Sequence, residues 1–262
     1  MDLSIIVVNY KSKDKLANCL QSLALSSLHG IEHEIIVVEN NSGDDLSDLI
    51  SRYNQVKYIK SPVNLGMGGG NNLGIKESSG RHILVANPDL VFSVEAIRVL
   101  HQYLENNLEV AIVGPKLLNP DQSLQYSCAR YPSIFLPLLR RTAIGNFFPA
   151  FIESYLMKKE EHTEVREVDW LLGACLLLRR NELSGEGNLF DERFFMYFED
   201  VDLCRRAVKR GQKVVYNPLA VVIHDHMRDS ARLPWYRAIF SDKIAQEHLK
   251  SWWKYFKKWG WH

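Results

Sequence analysis

A chain of 262 residues can bury a sizeable core, and 46% hydrophobic with 24% charged residues is ordinary for a globular protein, which excludes a disordered or fibrous chain. The formal net charge of +1 supplies no global field, so no nucleic-acid partner is expected. The four cysteines, Cys19, Cys128, Cys175 and Cys204, form no C-x-x-C pair, which argues against a zinc site or a disulfide framework and suits a reducing compartment.

The first apolar run, residues 3–8, is followed at once by Asn9, Tyr10 and Lys11 and is too short for a signal peptide. No run reaches the roughly 18 apolar residues of a spanning helix, so the expectation is a cytoplasmic protein with at most a peripheral contact on the inner face of the membrane. The β-branched stretch 3–8 predicts a strand buried on both faces of a parallel sheet. Leu16, Cys19, Leu20 and Leu23 predict a helix over 13–26. A second strand follows at 34–38, a helix at 44–52 with Asp44 or Asp45 near its start, and a third strand at 56–59. Beyond a glycine-rich segment come a helix near 71–78, a fourth strand at 83–86, and a helix capped by Ser93 and running to about Asn106. A fifth strand at 110–113 completes a doubly wound β-α-β pattern over 1–115.

The second half is less regular. A hairpin is expected over 116–129 around Asn119-Pro120-Asp121, and loops with short helices over 132–166. An apolar strand is expected at 170–178, a helix at 199–210, and two short strands at 214–216 and 220–223. No low-complexity linker divides the chain, so the halves are expected to share one core.

Open α/β sheets bind ligands beyond the carboxyl ends of their strands. Here those ends carry Asn9-Tyr10, Glu39-Asn40-Asn41-Ser42 and Asn87-Pro88-Asp89. Any one cluster is explained by polar residues terminating a strand, but three at successive strand ends point to one crevice. The stretch from Asn64 through Gly66, Gly68 and Asn71 to Gly74 holds a G-x-G, but it follows the third strand, which argues against a dinucleotide fingerprint. It suits backbone closely approaching a donor, with a helix starting near Asn71 offering N–H groups; a tight turn is the plainer alternative. Glu199 and Asp200 follow the aromatic run Phe195, Tyr197, Phe198 and open a helix. A shielded carboxylate there suits a general base, whereas partnership with the helix dipole explains only the acidity.

The series S-I-I-V-V-N-Y, V-V-E-N-N-S, N-L-G-M-G-G-G-N-N-L-G, A-N-P-D-L, V-D-W-L-L-G-A and F-E-D-V-D-L-C-R-R resembles the family 2 glycosyltransferases, and most closely their rhamnosyltransferase-type branch, over residues 3–230. The resemblance implies a GT-A type fold, a Rossmann-like mixed α/β sheet with helices on both faces. It also implies an inverting mechanism and a Mg²⁺ or Mn²⁺ ion bound with the donor. Asp89 would be the metal carboxylate, with Asn87 a departure from the family's D-x-D that weakens metal contact. His224 matches a late His and a third ligand, with His226 leaving the choice open. Glu39 stands where the family's acidic residue meets the nucleoside. Asn9, Tyr10, Asn41, Asn64, Gly66, Gly68, Asn71 and Asn87 complete the donor side. Asp200 falls at the base, Glu199 beside it orients the acceptor, and Trp170, Gly173 and Ala174 match W-x-x-G-A, where small residues admit the acceptor. Arg205 and Arg206 are expected to brace the Asp200 helix or to meet phosphate.

The expected organisation is a transferase domain over 1–230, with a nucleotide-sugar half at 1–115 and an acceptor half at 116–230, followed by a basic aromatic helical tail at 231–262. The implied donor is dTDP-rhamnose first and a UDP-hexose second; the acceptor is a saccharide or a lipid-linked oligosaccharide. In the tail, Leu249, Trp252, Trp253, Phe256 and Trp259 recur at helical spacing opposite Lys250, Lys254, Lys257 and Lys258. That pattern fits an interfacial helix over 249–261 on an anionic membrane, or a helix docked on the core. A sugar nucleotidyltransferase would need a glycine- and arginine-rich loop after the first strand, where Asn9-Tyr10-Lys11 stands. A non-catalytic partner is disfavoured by intact Asp89 and Asp200.

Overall fold

The computed structural model describes residues 1–141, 143–183, 188–226 and 242–261. The apolar runs become strands, and the central ones, at 3–9 and 82–86, are buried on both faces. β1 (Leu3–Asn9) is buried at every position, and β2 (His33–Glu39), β3 (Val56–Lys60) and β4 (His82–Ala86) lie parallel around it. β5 (Leu90–Phe92), β6 (Val110–Leu118), β7 (Leu124–Gln125), β8 (Cys128–Ala129), β9 (Arg166–Glu167), β10 (Trp170–Leu171), β11 (Cys175–Arg179) and β12 (Lys213–His224) follow. The main sheet runs β3-β2-β1-β4-β11-β6-β12-β5. β11 is antiparallel to both β4 and β6, so a strand from the second half is inserted into the parallel sheet of the first. The sheet is therefore mixed, and both halves contribute to it.

Alternate side chains of β1 feed two cores. Leu3, Ile5 and Val7 pack with Leu16, Leu20 and Leu23 of α1 (Lys13–Ala24) and with Ile97, Leu100 and Leu104 of α4 (Ala96–Asn106). Ile6 and Val8 pack on the other face with Ile75 of α3 (Gly66–Lys76) and with the cluster that holds Leu203 and Ala207 of α8 (Glu199–Lys209). Each fully buried aliphatic side chain of this kind contributes on the order of 1.5–3 kcal/mol. Small helices α2 (Ser47–Ile50), α5 (Leu136–Arg141), α6 (Pro149–Tyr155) and α7 (Arg180–Leu183) fill the connections, and α9 (Lys243–Trp259) closes the described chain.

Several expectations are corrected. The helix expected at 71–78 starts at Gly66, because the glycines themselves form its first turns. Gly74 lets it approach the sheet so closely that a Cβ there would sit 2.5 Å from Ile6 Cγ2. The helix expected at 44–52 shrinks to α2, since Asp44 accepts from Asn9 and from the Ser12 backbone rather than opening a helix. Ser93 does not cap α4; Glu95 holds that position without a side-chain cap bond, and Ser93 takes part through its backbone, accepting from Ala96 N–H and donating to Val221 O. The strand expected at 170–178 is broken into β10 and β11, which join different sheets, because Leu172 N–H turns to Ser127 O and Gly173 N–H to Asp200. Conversely, the two short strands at 214–216 and 220–223 are one strand, β12, with a register shift between Asn217 and Val221.

Candidate active site

Parallel pairing puts the ends of β1, β2 and β4 on one sheet edge, with Asn9 opposite Glu39 and Val7 opposite Ala86. After β4 the chain turns through Asn87-Pro88-Asp89 into β5, whose Leu90 pairs with His224 at the end of β12. The turn sets Asp89 Oδ1 3.3 Å from His224 Nε2. Donation from His224 Nδ1–H to Gln125 Oε1 at 2.6 Å fixes the ring and leaves Nε2 facing the carboxylate. His226 stacks on His224 with 5.2 Å between centroids, and Asp89, His224 and His226 present ligand atoms within 4.8 Å of one another. Asp89 Oδ1 and His224 Nε2 are enclosed and lack a hydrogen-bond partner among the described residues, as does Asn87 Oδ1. Hard oxygen and imidazole donors left orphaned around one point fit a divalent cation. Burial opposes ionisation of Asp89, but the adjacent His224 and then Lys15 outweigh it and hold the carboxyl below its usual range.

The second corner is built by α8. Tyr197 and Phe198 both adopt positive φ, 68° and 67°, a strained pair of bulky residues that turns the chain sharply into Glu199 and Asp200. Asp200 is buried, with Oδ2 accepting from Gly173 N–H and Oδ1 from Val201 N–H, both at 2.8 Å. One residue on, Ala174 O accepts from Asn87 N–H at 2.8 Å, so a short backbone relay ties the Asp200 carboxylate to the Asn87-Pro88-Asp89 turn. A side chain at Gly173 would crowd this point, since a Cβ would lie 3.0 Å from Asp200 Cβ and 3.2 Å from Oδ2.

Burial raises the pKa of both carboxyls, and their environments separate them. Glu199 Oε2 is enclosed with no hydrogen-bond partner among the described residues, and the charge of Asp200 adds to burial in keeping Glu199 protonated. Asp200 has two N–H donors that favour its anion.

The donor-side residues divide. Glu39 is spent closing its own loop, accepting from Asn41 N–H (3.2 Å), Ser42 N–H (2.6 Å) and Ser42 Oγ–H (2.5 Å). Asn9 is buried and donates to Asp44 Oδ2 at 3.0 Å, while Tyr10 and Asn41 are exposed at the rim. Asn64 Oδ1 caps Gly66 N–H at 2.9 Å. At Gly66, with φ +74°, a Cβ would strike Phe195 O at 2.0 Å, and Met67 N–H donates to that same carbonyl. The first N–H groups of α3 are thus already used, and Asn71 is buried in the helix rather than at its start. Gly68 packs against Phe190, with the Glu199 side chain close by. Trp170 Nε1–H donates to Arg130 O at 2.8 Å.

The model of the family described as Glycosyl transferase family 2 matches residues 4–171. The chain belongs to that family. It is similar to the N-acetylglucosaminyl-diphospho-decaprenol L-rhamnosyltransferase of Mycobacterium tuberculosis (strain ATCC 25618 / H37Rv), 30% identical over 276 residues that span 98% of this chain and 88% of that one. Rhamnosyltransferase WbbL of Escherichia coli (strain K12) is 26% identical over 97% of this chain and 92% of its own. Mannosyltransferase PcManGT from Pyrobaculum calidifontis, solved with GDP-Man and Mn²⁺, matches with a TM-score of 0.64 at 15% identity, covering 97% of this chain and 64% of that one, and shows the shared fold.

In this glycosyltransferase two further residues hold the segments around the site. Asn40, given no role of its own in the strand-end cluster, ties the glycine segment down by donating to Gly66 O and accepting from Leu65 N–H. Asn72 exchanges hydrogen bonds with the Phe190 backbone at 2.9 Å each way, fastening α3 to the segment that leads into α8. Neither could be told from its neighbours in an asparagine-rich stretch. Arg205 donates to Tyr255 Oη at 2.9 Å and lies over Trp259, and Arg206 pairs with Asp202 at 2.9 Å. They brace α8 and dock α9. The opening of the tail, residues 231–241, lies outside the described residues. Within α9 the docked face is Ala245, Ser251, Tyr255 and Phe256, so Tyr255 replaces Trp253 in the expected apolar stripe, and Lys258 turns inward to Asp191 and Asp202.

Proposed function

We propose that this transferase moves a sugar, rhamnose from dTDP-rhamnose, onto a hydroxyl of a lipid-linked saccharide during polysaccharide or cell-wall assembly, with inversion at the anomeric carbon. The rhamnosyltransferase names of the mycobacterial and E. coli relatives support the sugar. The observation that carries the chemistry is the buried Asp200 carboxylate, linked through Gly173 and Ala174 to the Asn87-Pro88-Asp89 turn. Asp200 takes the proton of the acceptor hydroxyl as that oxygen bonds to the anomeric carbon and the bond to the diphosphate breaks. Its two backbone donors leave lone pairs for that proton. Glu199, kept neutral, donates rather than repels, and orients the acceptor. Asp89 and His224, with His226, would hold Mg²⁺ or Mn²⁺, which supplies charge stabilisation to the departing diphosphate.

Among the described residues no helix is long and apolar enough to cross a membrane. Trp253, half exposed, and the exposed Lys250 and Lys257 of α9 remain available for a peripheral contact.

The test is a transfer and donor-hydrolysis screen over dTDP-rhamnose, UDP-hexoses and GDP-mannose with Mg²⁺, Mn²⁺ or chelator. Preference for dTDP-rhamnose by a factor of ten or more supports the reading. Equal or better turnover of a UDP-hexose overturns the sugar, and an unaltered rate in chelator overturns the metal.

A further inference from the structure

The opposite end of β4 carries a second group of donor atoms. His82, the first residue of β4, is buried, and from α4 His101 and Glu105 face it from one side of the helix, four residues apart. His82 Nδ1 lies 3.2 Å from Glu105 Oε1, and His101 Nε2 lies 3.9 Å from the same oxygen. All three ligand atoms fall within 4.8 Å of one another. Each is enclosed and lacks a hydrogen-bond partner among the described residues, although Arg81 approaches Glu105 Oε1 to 3.1 Å as an ion pair. Two buried imidazole nitrogens without a hydrogen-bond partner, facing a part-exposed carboxylate paired by Arg81, are costly unless something satisfies them.

Two imidazoles and a carboxylate form a borderline donor set that suits zinc better than magnesium. Zinc takes such ligands at about 2.0–2.2 Å in a tetrahedron, which places ligand atoms roughly 3.3 Å apart. The separations here, none above 4.8 Å, need to contract by about 1.5 Å at most. Neutral imidazoles bring one lone pair each to such a site. The rings meet edge to face, 5.1 Å between centroids, which is compatible with both nitrogens aiming at one ion. The outer ring of charge is balanced: Arg81 bridges Glu105 and Asp2, while Arg179 is occupied by backbone carbonyls of Leu104, Asn107 and Val110. The absence of paired cysteines hid such a site in the sequence.

We infer that His82, His101 and Glu105 form a second divalent-cation site, one that takes zinc and clasps α4 to the start of β4. A five-residue strand separates it from Asn87-Pro88-Asp89, roughly 15–20 Å at about 3.3 Å per residue. It is therefore a structural clasp, not part of the transfer chemistry.

The experiment uses the full chain carrying Asp89→Ala and His226→Ala, which disables the Asp89 cluster. Zinc is titrated by equilibrium dialysis, melting is followed with zinc and with chelator, and Co²⁺ absorption reports the ligand geometry. One equivalent of zinc is expected, with a rise in Tm of several degrees, on the order of that produced by a ligand at about 100 times its Kd. Tetrahedral Co²⁺ bands should appear. Both should be lost on adding His101→Gln or Glu105→Gln, two changes that preserve side-chain volume, with folding verified by circular dichroism. If the doubly substituted parent binds no zinc, or if binding survives either added substitution, the site does not exist. If metal binds with octahedral Co²⁺ bands and no change in Tm, the clasp is wrong.

Discussion

Replacing Gly173 with Ala tests the catalytic corner at its tightest contact. The new Cβ would stand 3.0 Å from Asp200 Cβ and 3.2 Å from Oδ2, where ordinary contacts are 3.4–4 Å. Gly173 is not in the left-handed region, so alanine adds no backbone strain there; the whole effect falls on the neighbouring carboxylate. Asp200 must yield by a few tenths of an ångström while Gly173 N–H, its 2.8 Å donor, pulls it back. Reacting groups aligned at about 3–3.5 Å lose about 10²-fold for a displacement of about 1 Å, so a shift of this size should lower kcat about tenfold, or ~1.4 kcal/mol in the barrier. Overpacking of this kind costs about 1–3 kcal/mol of stability, so the protein should fold with a modest drop in Tm. Donor affinity should hold, because Gly173 touches Asp200 and not the glycine segment. Donor binding by calorimetry and transfer kinetics at saturating donor read the two effects apart. Parental kcat in the folded variant would refute the argument that Gly173 sets the position of the base.

Asp200→Asn should bind donor within a few-fold of the parent yet transfer about 10² times more slowly or worse, as for loss of a general base; near-parental turnover removes Asp200 from the mechanism. Glu199→Gln tests the pairing of the carboxyls through pH. Because burial and the Asp200 charge raise the pKa of Glu199, the folded chain keeps a proton that the unfolded chain has released, so parental stability falls as pH rises from the ordinary glutamate range through the raised value. The Gln variant should lack that fall, and urea melts at pH 5 and 9 that show parallel losses in both proteins would contradict it. Asp89→Ala should abolish any gain in donor affinity from Mn²⁺ or Mg²⁺, and identical parental affinity in chelator and in metal would mean that no cation assists binding. Trp253→Ala with Lys257→Ala leaves the docked face of α9 intact and should release the protein from phosphatidylglycerol vesicles at low salt; absence of parental binding ends the membrane reading.

The strands were legible because burial on both faces writes an unbroken apolar run, as at 3–8 and 34–38, and no tertiary context is needed to read it. The glycine segment misled for the opposite reason. Its residues have poor intrinsic helix propensity, and only close packing on Ile6 and the Phe195 carbonyl makes the helix start at Gly66. The strand break at Gly173 was equally invisible, since the partner that draws its N–H away lies 27 residues further along. Of the site, the residue types and their order carried the motifs to Asp89, Asp200, Gly173 and His224. What they could not carry was division of labour within a motif: the Glu39 carboxylate accepting from its own loop, Asn40 and Asn72 acting as fasteners, or Tyr197 and Phe198 held at positive φ.

The strained turn at Tyr197 and Phe198 raises the question of what holds it, and α9 answers it. Asp202, two residues beyond Asp200, is fully buried and accepts from Trp259 Nε1–H at 2.7 Å, from Lys258 at 2.6 Å and from Arg206 at 2.9 Å. Ser251 Oγ–H donates to Met196 O at 2.8 Å, just before the turn, and Phe198 packs against Tyr255 and His248. Two left-handed bulky residues cost of order 1–3 kcal/mol each, and these contacts from one helix grip the segment on both sides. A buried anion with one partner removed is costly, so Lys258 and Trp259 act on the first turn of α8 and through it on Asp200. The helix that the sequence offered as either a membrane anchor or a core element is then a core element first. Its outward Trp253 and Lys257 lie on another face, so docking and a membrane contact do not compete for the same side chains.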